Sequence, residues 1–190
     1  IAGIDGNISA RTADGTVLVT PSGVHKGVLA PEDIVEVTLA GALVGSGKPT
    51  SELPMHLEIL KRRPEVQVVV HSHAPTAVAM TLVPALTLNG VLPELIIALG
   101  HVPTVPYTRP GTDTLATRVA VALGSGCAVL IERHGTVTVG ATTLEALART
   151  EMIEHAAKIL WAAHAVGRPT PLDDAEVQVL STLMHPGPKT

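Results

Sequence analysis

The sequence predicts a single α/β domain, spanning residues 1–190, in which helices flank a mixed and mostly antiparallel sheet. The 190 residues are 46% hydrophobic, which is enough to bury one sizeable core. Four segments carry helix start and stop signals. The strand-like segments are broken by a hairpin and do not alternate strictly with helices, so a doubly wound parallel sheet is disfavoured.

Strand signals begin close to the N-terminus. Residues 7–19 resemble a hairpin, with Ala13-Asp14-Gly15 as its turn and residues 16–19 as the returning strand. Apolar and alternating patterns predict further strands at residues 38–44, 66–71, 102–107, 128–131 and 136–139.

Helix signals lie between these strands. Thr50-Ser51 precedes a predicted helix that begins at Glu52 and stops near Arg63, because Pro64 follows. Three more helices are expected: from Thr112 to Gly124, from the Thr142-x-x-Glu145 capping box to Gly167, and a short one after Asp173-x-x-Glu176.

Composition excludes several function classes. There is no Phe, one Trp and one Tyr, so an aromatic platform for stacking bases is excluded. A net charge of −4 with 13 Lys and Arg argues against nucleic acid or an anionic membrane as the partner. The single cysteine, Cys127, cannot form an intrachain disulfide and fits a cytoplasmic location, and no signal peptide or membrane span is visible.

The pair His71-Ser72-His73 closes the apolar run at residues 66–70. Residues i and i+2 of a strand share a face, so both imidazoles can approach one divalent metal. Two hydrogen-bonded histidines near a turn are the simpler interpretation of this pair alone. His134 follows another buried strand and precedes Gly135, and three histidines with open positions are typical of a catalytic metal.

Glu52 stands at the predicted start of a helix, where the helix dipole favours a carboxylate. Taken alone, a carboxylate at this position is explained by stabilisation of the first turn of the helix. Beside a metal, the same carboxylate can serve as a fourth ligand or as a general base. His56 falls one helical turn later and is expected to support it.

Three short segments suit an anion: Gly6-Asn7-Ile8-Ser9, Thr20-Pro21-Ser22-Gly23 and Thr50-Ser51. They combine small residues with hydroxyl or amide donors, and free N–H groups open the Glu52 helix. Each alone is typical of a turn or a cap. Together they predict a phosphate site that needs neither Lys nor Arg.

In this order, these segments resemble the class II aldolase/adducin-like family, which includes L-fuculose-1-phosphate aldolase and L-ribulose-5-phosphate 4-epimerase. The resemblance runs from Gly6 to about Pro171. It rests on Gly6-Asn7-Ile8-Ser9, Thr20-Pro21-Ser22-Gly23, Thr50-Ser51-Glu52 with Met55-His56, His71-Ser72-His73-Ala74 and Arg133-His134-Gly135. It implies a three-layer α/β/α fold, a homotetramer, and a helix ahead of Ile1.

The resemblance also implies roles for individual residues. His71, His73 and His134 correspond to the ligands of Zn²⁺, or of Mn²⁺ or Co²⁺, and Glu52 alternates between ligand and acid/base. The positions that match the family's phosphate site are Gly6, Asn7, Ser22, Gly23, Thr50 and Ser51.

The implied reaction is retro-aldol cleavage of a ketose 1-phosphate to dihydroxyacetone phosphate and an aldehyde, through a metal-stabilised enediolate. Glu52 favours an aldolase, since the 4-epimerase carries Asp there. Two related activities stay open, a sugar-phosphate 4-epimerase and a decarboxylase of phosphorylated keto acids. Outside catalysis, an adducin-like interaction module is the alternative, and it is expected to lack the metal ligands.

The chain departs from the family at the second proton donor, often a tyrosine from a neighbouring subunit. Its one tyrosine is Tyr107, and residues 184–190 have none. Tyr107 and His101 are candidate accessory residues, with a structural role as the alternative for Tyr107. By the resemblance, Pro110 stands where the fuculose enzyme has an aromatic residue that shapes the aldehyde end of the site. A small or apolar aldehyde therefore fits this chain at least as well as the aldehyde released from fuculose 1-phosphate.

Overall fold

An eight-stranded sheet forms the centre of the computed structural model, which describes residues 3–83 and 86–183. Its strands are β1 Asn7–Arg11, β2 Val17–Val19, β3 Val35–Val37, β4 Leu43–Val44, β5 Val68–Ser72, β6 Thr104–Val105, β7 Ala128–Ile131 and β8 Gly135–Gly140. Their spatial order is β4-β3-β2-β1-β5-β8-β7-β6, and only the β6–β7 pair is parallel among the described strands. The mixed, mostly antiparallel sheet is therefore confirmed.

Helices cover both faces of this sheet. They are α1 Leu53–Arg62, α2 Pro75–Thr81, α3 Pro93–Leu99, α4 Asp113–Leu123, α5 Thr143–Val166 and α6 Asp174–Thr182. Strand β7 shows the arrangement, because its side chains alternate between two cores. Val129 and Ile131 pack in the core that α1 and α4 cover, and Ala128 and Leu130 pack in the core of α2, α3 and α5. The fold is thus the expected three-layer α/β/α.

The predicted caps at the later helices are confirmed. Each cap side chain accepts a backbone N–H three residues on: Thr112 from Leu115, Thr142 from Glu145 and Asp173 from Glu176. Helix α1 differs slightly from the expectation. Glu52 is its N-cap and Leu53 its first residue, and Thr50 Oγ1 accepts only the Glu52 N–H, at 3.3 Å.

The strand predicted at residues 38–44 is confirmed only at its end, as β4 Leu43–Val44, because residues 38–42 form a turn. Strand β3 ends at Val37, and the Thr38 N–H donates to the Ala42 carbonyl across a turn. Gly41 adopts φ +94°, which a glycine tolerates at no steric cost, so it reverses the chain here. Strand β6 is also shorter than the predicted 102–107, since Pro103 and Pro106 on either side lack an N–H for the ladder.

Helices α2 and α3 were not anticipated from the sequence. Both begin at a proline and lack a capping side chain on the preceding residue. Helix α2 is capped from a distance, because Glu154 of α5 accepts the Ala77 N–H at 3.0 Å and the Thr76 N–H and hydroxyl at 3.0 and 2.7 Å. Among the described residues, no helix is both long and apolar enough to cross a membrane.

Candidate active site

Glu52, His71, His73 and His134 converge at one end of the central strands. One ligand atom from each lies within 4.8 Å of the others. The three imidazole rings are almost equally spaced, with centroids 4.8 to 4.9 Å apart and planes inclined by 66 to 67°. The sequence-predicted donors therefore surround one common point.

The sheet places these side chains. His71 lies on β5, opposite Asn7 of β1 and Val137 of β8. His73 follows just beyond the end of that strand, on the same face as His71. His134 lies in the turn from β7 to β8, where its N–H donates to the Ile131 carbonyl and Arg133 adopts a left-handed φ of 61°.

Two glycines allow the backbone to pack closely around His71. A Cβ added at Gly135 would lie 2.3 Å from the Ser72 carbonyl oxygen and 2.9 Å from His71 Cε1. Gly6 adopts φ +72°, and a Cβ there would lie 2.6 Å from the His71 carbonyl oxygen. Any larger residue at either position would push β5 away from its neighbours.

Hydrogen bonding fixes the tautomer of His71. Its Nδ1–H donates to the Thr136 carbonyl oxygen at 2.9 Å, so in the neutral ring Nε2 carries the lone pair. That lone pair faces Glu52 Oε2 at 3.2 Å and His73 Nε2 at 3.1 Å. Glu52 Oε1 is buried without a hydrogen-bond partner in the described chain, and it faces His134 Nε2 at 3.4 Å. Several acceptors that face one another in this way fit a divalent cation.

Protonation states agree with this donor set. Burial alone would raise the pKa of Glu52, but its neighbours His71, Asn7 and His134 have the larger effect and lower the pKa to about 2. Burial and the neighbouring His71 lower the pKa of His134 to about 4, and the same two causes lower the pKa of His73. Near neutral pH Glu52 is therefore a carboxylate and His73 and His134 are neutral imidazoles, the forms that bind metals.

A cleft of about 390 Å³ opens in front of this cluster. It is large enough for a small ligand. Every position that the sequence assigned to a phosphate lines it: Gly6, Asn7, Ser22, Gly23, Thr50 and Ser51. Glu52, His73 and His134 line the same cleft, and His71 lies buried behind them.

The model of the class II aldolase and adducin N-terminal domain family matches residues 1–161. The chain belongs to this family.

Relatives within the family differ in the reaction named for them. The chain is 39% identical over 162 residues to an L-fuculose phosphate aldolase of Methanococcus vannielii, covering 84% of this chain and 85% of that protein. It is 33% identical over 160 residues to a 3-oxo-tetronate 4-phosphate decarboxylase of Haemophilus influenzae, covering 82% and 76%. A solved L-fuculose 1-phosphate aldolase is similar at TM-score 0.87 and 28% identity, covering 96% of this chain and 86% of that one.

Lys26 is a residue of the cleft that the sequence interpretation missed. Its Nζ donates to the carbonyl oxygens of Val24 and Ile4, at 2.8 and 3.0 Å. An ammonium has three donors, so one N–H remains for a ligand. Burial lowers the pKa of Lys26, and the charge of Asp5 opposes this shift. Its position three residues after the end of Thr20-Pro21-Ser22-Gly23, a segment predicted to bind an anion, was the available signal.

The two candidate accessory residues do not line the cleft of this chain. Tyr107 is 56% exposed, and its backbone N–H donates to Glu132 Oε2 at 2.9 Å. His101 is exposed in the segment before β6. Pro110, which was expected to shape the aldehyde end of the site, does line the cleft, and so does Gly111. An accessory role for Tyr107 or His101 stays a prediction.

Proposed function

We propose that this chain is a divalent-metal-dependent lyase, an aldolase that cleaves a ketose 1-phosphate to dihydroxyacetone phosphate and an aldehyde. The observation that carries the proposal is the placement of Glu52. Its carboxylate contacts the three-histidine cluster and also lines a cleft built from anion-suited loops. A metal donor set, a candidate acid/base and a phosphate-sized opening therefore adjoin one another.

In the proposed enzyme, His71, His73 and His134 hold the metal, with Glu52 as a fourth donor. The donor set suits Zn²⁺, with Mn²⁺ or Co²⁺ as alternatives. When bound, the metal supplies a Lewis acid that polarises the substrate carbonyl and stabilises negative charge on its oxygen. Thr136 keeps the His71 imidazole in the tautomer that directs Nε2 into the cluster.

Glu52 is the proposed proton carrier. Asn7 Nδ2 donates to its Oε2 at 2.9 Å, whereas Oε1 lacks a hydrogen-bond partner in the described chain. As the C–C bond breaks, the hydroxyl that becomes the aldehyde carbonyl releases its proton, and Oε1 is the proposed atom that takes up this proton and delivers it to the carbon left on dihydroxyacetone phosphate. General acid–base catalysis of this kind contributes about 10²- to 10⁴-fold in rate.

The loops that line the rest of the cleft form the proposed phosphate site. Ser22 and Ser51 contribute hydroxyl groups there, and Gly23 leaves the backbone open. The start of α1 and the Lys26 ammonium add positive potential. Seating the phosphate at this end points the carbonyl end of the substrate towards the histidine cluster.

Decarboxylation of a phosphorylated keto acid is the second candidate. It is favoured by the relatives named 3-oxo-tetronate 4-phosphate decarboxylase, at 32 to 37% identity. Loss of CO₂ leaves a carbanion that Glu52 would protonate in the same way. A 4-epimerase is less consistent with Glu52, and an adducin-like module is expected to lack the four donors found here.

A cytoplasmic homotetramer with its sites at subunit interfaces belongs to the same proposal. Its support is the exposed apolar surface of α5, where Trp161 and Val166 are largely in solvent. Multi-angle light scattering on the purified protein gives the molar mass directly. A monomer at micromolar concentration would contradict the tetramer.

The reaction is tested with metal-loaded protein and a panel of ketose 1-phosphates and phosphorylated keto acids. Released dihydroxyacetone phosphate identifies an aldolase, released CO₂ a decarboxylase, and an inverted sugar an epimerase. The Glu52→Gln variant, which keeps the side-chain shape, should lose about 10²- to 10⁴-fold in kcat. A metal-loaded protein that converts none of the panel, or a fully active Glu52→Gln, would overturn the proposal.

A further inference from the structure

A line of buried hydrogen bonds leads from Glu52 to the hydrophobic core. Asn7 Nδ2 donates to Glu52 Oε2 at 2.9 Å, and Asn7 Oδ1 lies 2.5 Å from His56 Nε2. The other ring nitrogen of His56, Nδ1, lies 2.7 Å from Ser9 Oγ. His56 is fully buried on α1, one turn after Glu52, and both of its ring nitrogens have a partner.

Each link in this line has one consistent direction. A carboxylate only accepts, so the amide nitrogen of Asn7 must face Glu52 and the amide oxygen must face His56. The oxygen in turn requires a proton on His56 Nε2. His56 Nδ1 then carries the lone pair and accepts from the Ser9 hydroxyl.

We propose that His56 is a positioning residue for Glu52, which it reaches through Asn7. Its Nε2–H anchors the Asn7 carbonyl oxygen and so keeps the amide NH₂ group turned towards Glu52. With the amide reversed, the Asn7 and Glu52 oxygens would face each other at about the same 2.9 Å without a hydrogen between them. Asn7 holds Oε2 in place and leaves Oε1 directed at the cluster.

Packing alone does not explain this residue. A buried imidazole is unfavourable unless its polar atoms are paired, and an apolar side chain would fill the same space without that requirement. Burial and the neighbouring His71 lower the pKa of His56 to about 3, against the opposing effect of Glu52, so the ring stays neutral at pH 7. A neutral ring donates at one nitrogen and accepts at the other, as this line requires.

Asn7 also lines the cleft, so its second amide N–H is available to the proposed substrate phosphate. The orientation that His56 imposes would then serve both ends of the substrate. This inference rests on the proposed function, because it assigns a support to the proposed proton carrier.

Two variants separate positioning from packing. His56→Gln carries its amide near the place of Nε2 and can still donate to Asn7. His56→Asn carries its amide near Nδ1, so it can meet Ser9 but does not reach Asn7. We expect His56→Asn to lower kcat by about 10- to 100-fold and His56→Gln to recover most of it. Equal activity in the two variants, whether high or low, would overturn the proposal.

A spectroscopic measurement tests the same inference without turnover. Long-range ¹H–¹⁵N spectra of the metal-free protein with labelled histidine report which ring nitrogen carries the proton. We expect His56 to be protonated at Nε2 at pH 7, and this preference to be lost in Asn7→Ala. A proton on Nδ1 in the unmodified protein would overturn the proposal. Because this arm needs no substrate, it decides the role of His56 even if the panel shows no lyase activity.

Discussion

The two walls of the cleft are built in different ways. The inner wall is Glu52, His73 and His134 with His71 buried directly behind them, held by strand ends, a tight turn and buried hydrogen bonds. The outer wall is Ser22, Gly23, Lys26, Ser51 and Gly111, all on loops or helix ends and half-buried or exposed. The inner wall fixes which bonds are polarised and where a proton moves. The outer wall determines which molecule reaches that point, and a loop can change without disturbing the sheet.

The largest effect is expected at the inner wall, for His71→Ala. We expect loss of bound metal and a fall in kcat/KM of at least about 1,000-fold, because a Lewis acid contributes several kcal/mol to the transition state. Metal content by mass spectrometry and steady-state kinetics measure the two effects. His155→Ala, an exposed histidine on α5, is the matched control. A His71→Ala protein with full metal content would contradict the assignment of metal binding to the inner wall.

Gly135→Ala tests the packing of the inner wall. The added methyl group meets the Ser72 carbonyl and the His71 ring, so we expect about 1–3 kcal/mol loss in the free energy of unfolding. Denaturant unfolding of the metal-free protein measures it. Gly167→Ala is the control, since it has open space around its Cβ and an extended φ. Equal stability of the two variants would show that the strands adjust freely around His71.

The pH dependence of stability tests the buried support behind the inner wall. The pKa of His56 falls from its ordinary 6.5 to about 3 on folding, so the unfolded chain binds more protons in this interval. Its contribution is full above pH 6.5 and is lost as the pH falls towards 3, on the order of 2 kcal/mol by pH 5. Thermal unfolding of metal-free His56→Gln should depend less on pH than that of the unmodified protein. Parallel curves for the two proteins would contradict the assignment.

The smallest effect is expected at the outer wall. Lys26→Met should raise KM for a phosphorylated substrate by about tenfold with a smaller change in kcat, and added salt should narrow the difference. Lys48→Met, exposed on the adjacent loop, is the control. Competitive inhibition by inorganic phosphate should weaken by a similar factor. A change confined to kcat would place Lys26 at the chemical step instead of the phosphate.

Sequence patterns were sufficient to predict which residues of the inner wall lie together. Alternation along β5 put His71 and His73 on one face, and the Gly135 that follows His134 marked a tight turn. Long-range contacts account for what was missed. The first turn of helix α2 is capped by Glu154, which lies 78 positions after Thr76 in the chain. No local sequence pattern indicates a cap from so distant a residue. Lys26 reaches the cleft because two loops meet there, and Gly41 shortens the strand predicted at residues 38–44 through its backbone angle alone.

The pairing of β5 with β8 has a consequence for folding. The hydrogen bond between His71 and Thr136 joins residues 65 positions apart, and the contact between Glu52 and Asn7 joins residues 45 apart. Contacts so distant along the chain form late, because long loops must close first. A metal bound only by the completed cluster would therefore stabilise the whole domain, by about 2.7 kcal/mol at 100 times its Kd. The affinity for the metal would therefore report how completely the sheet has folded.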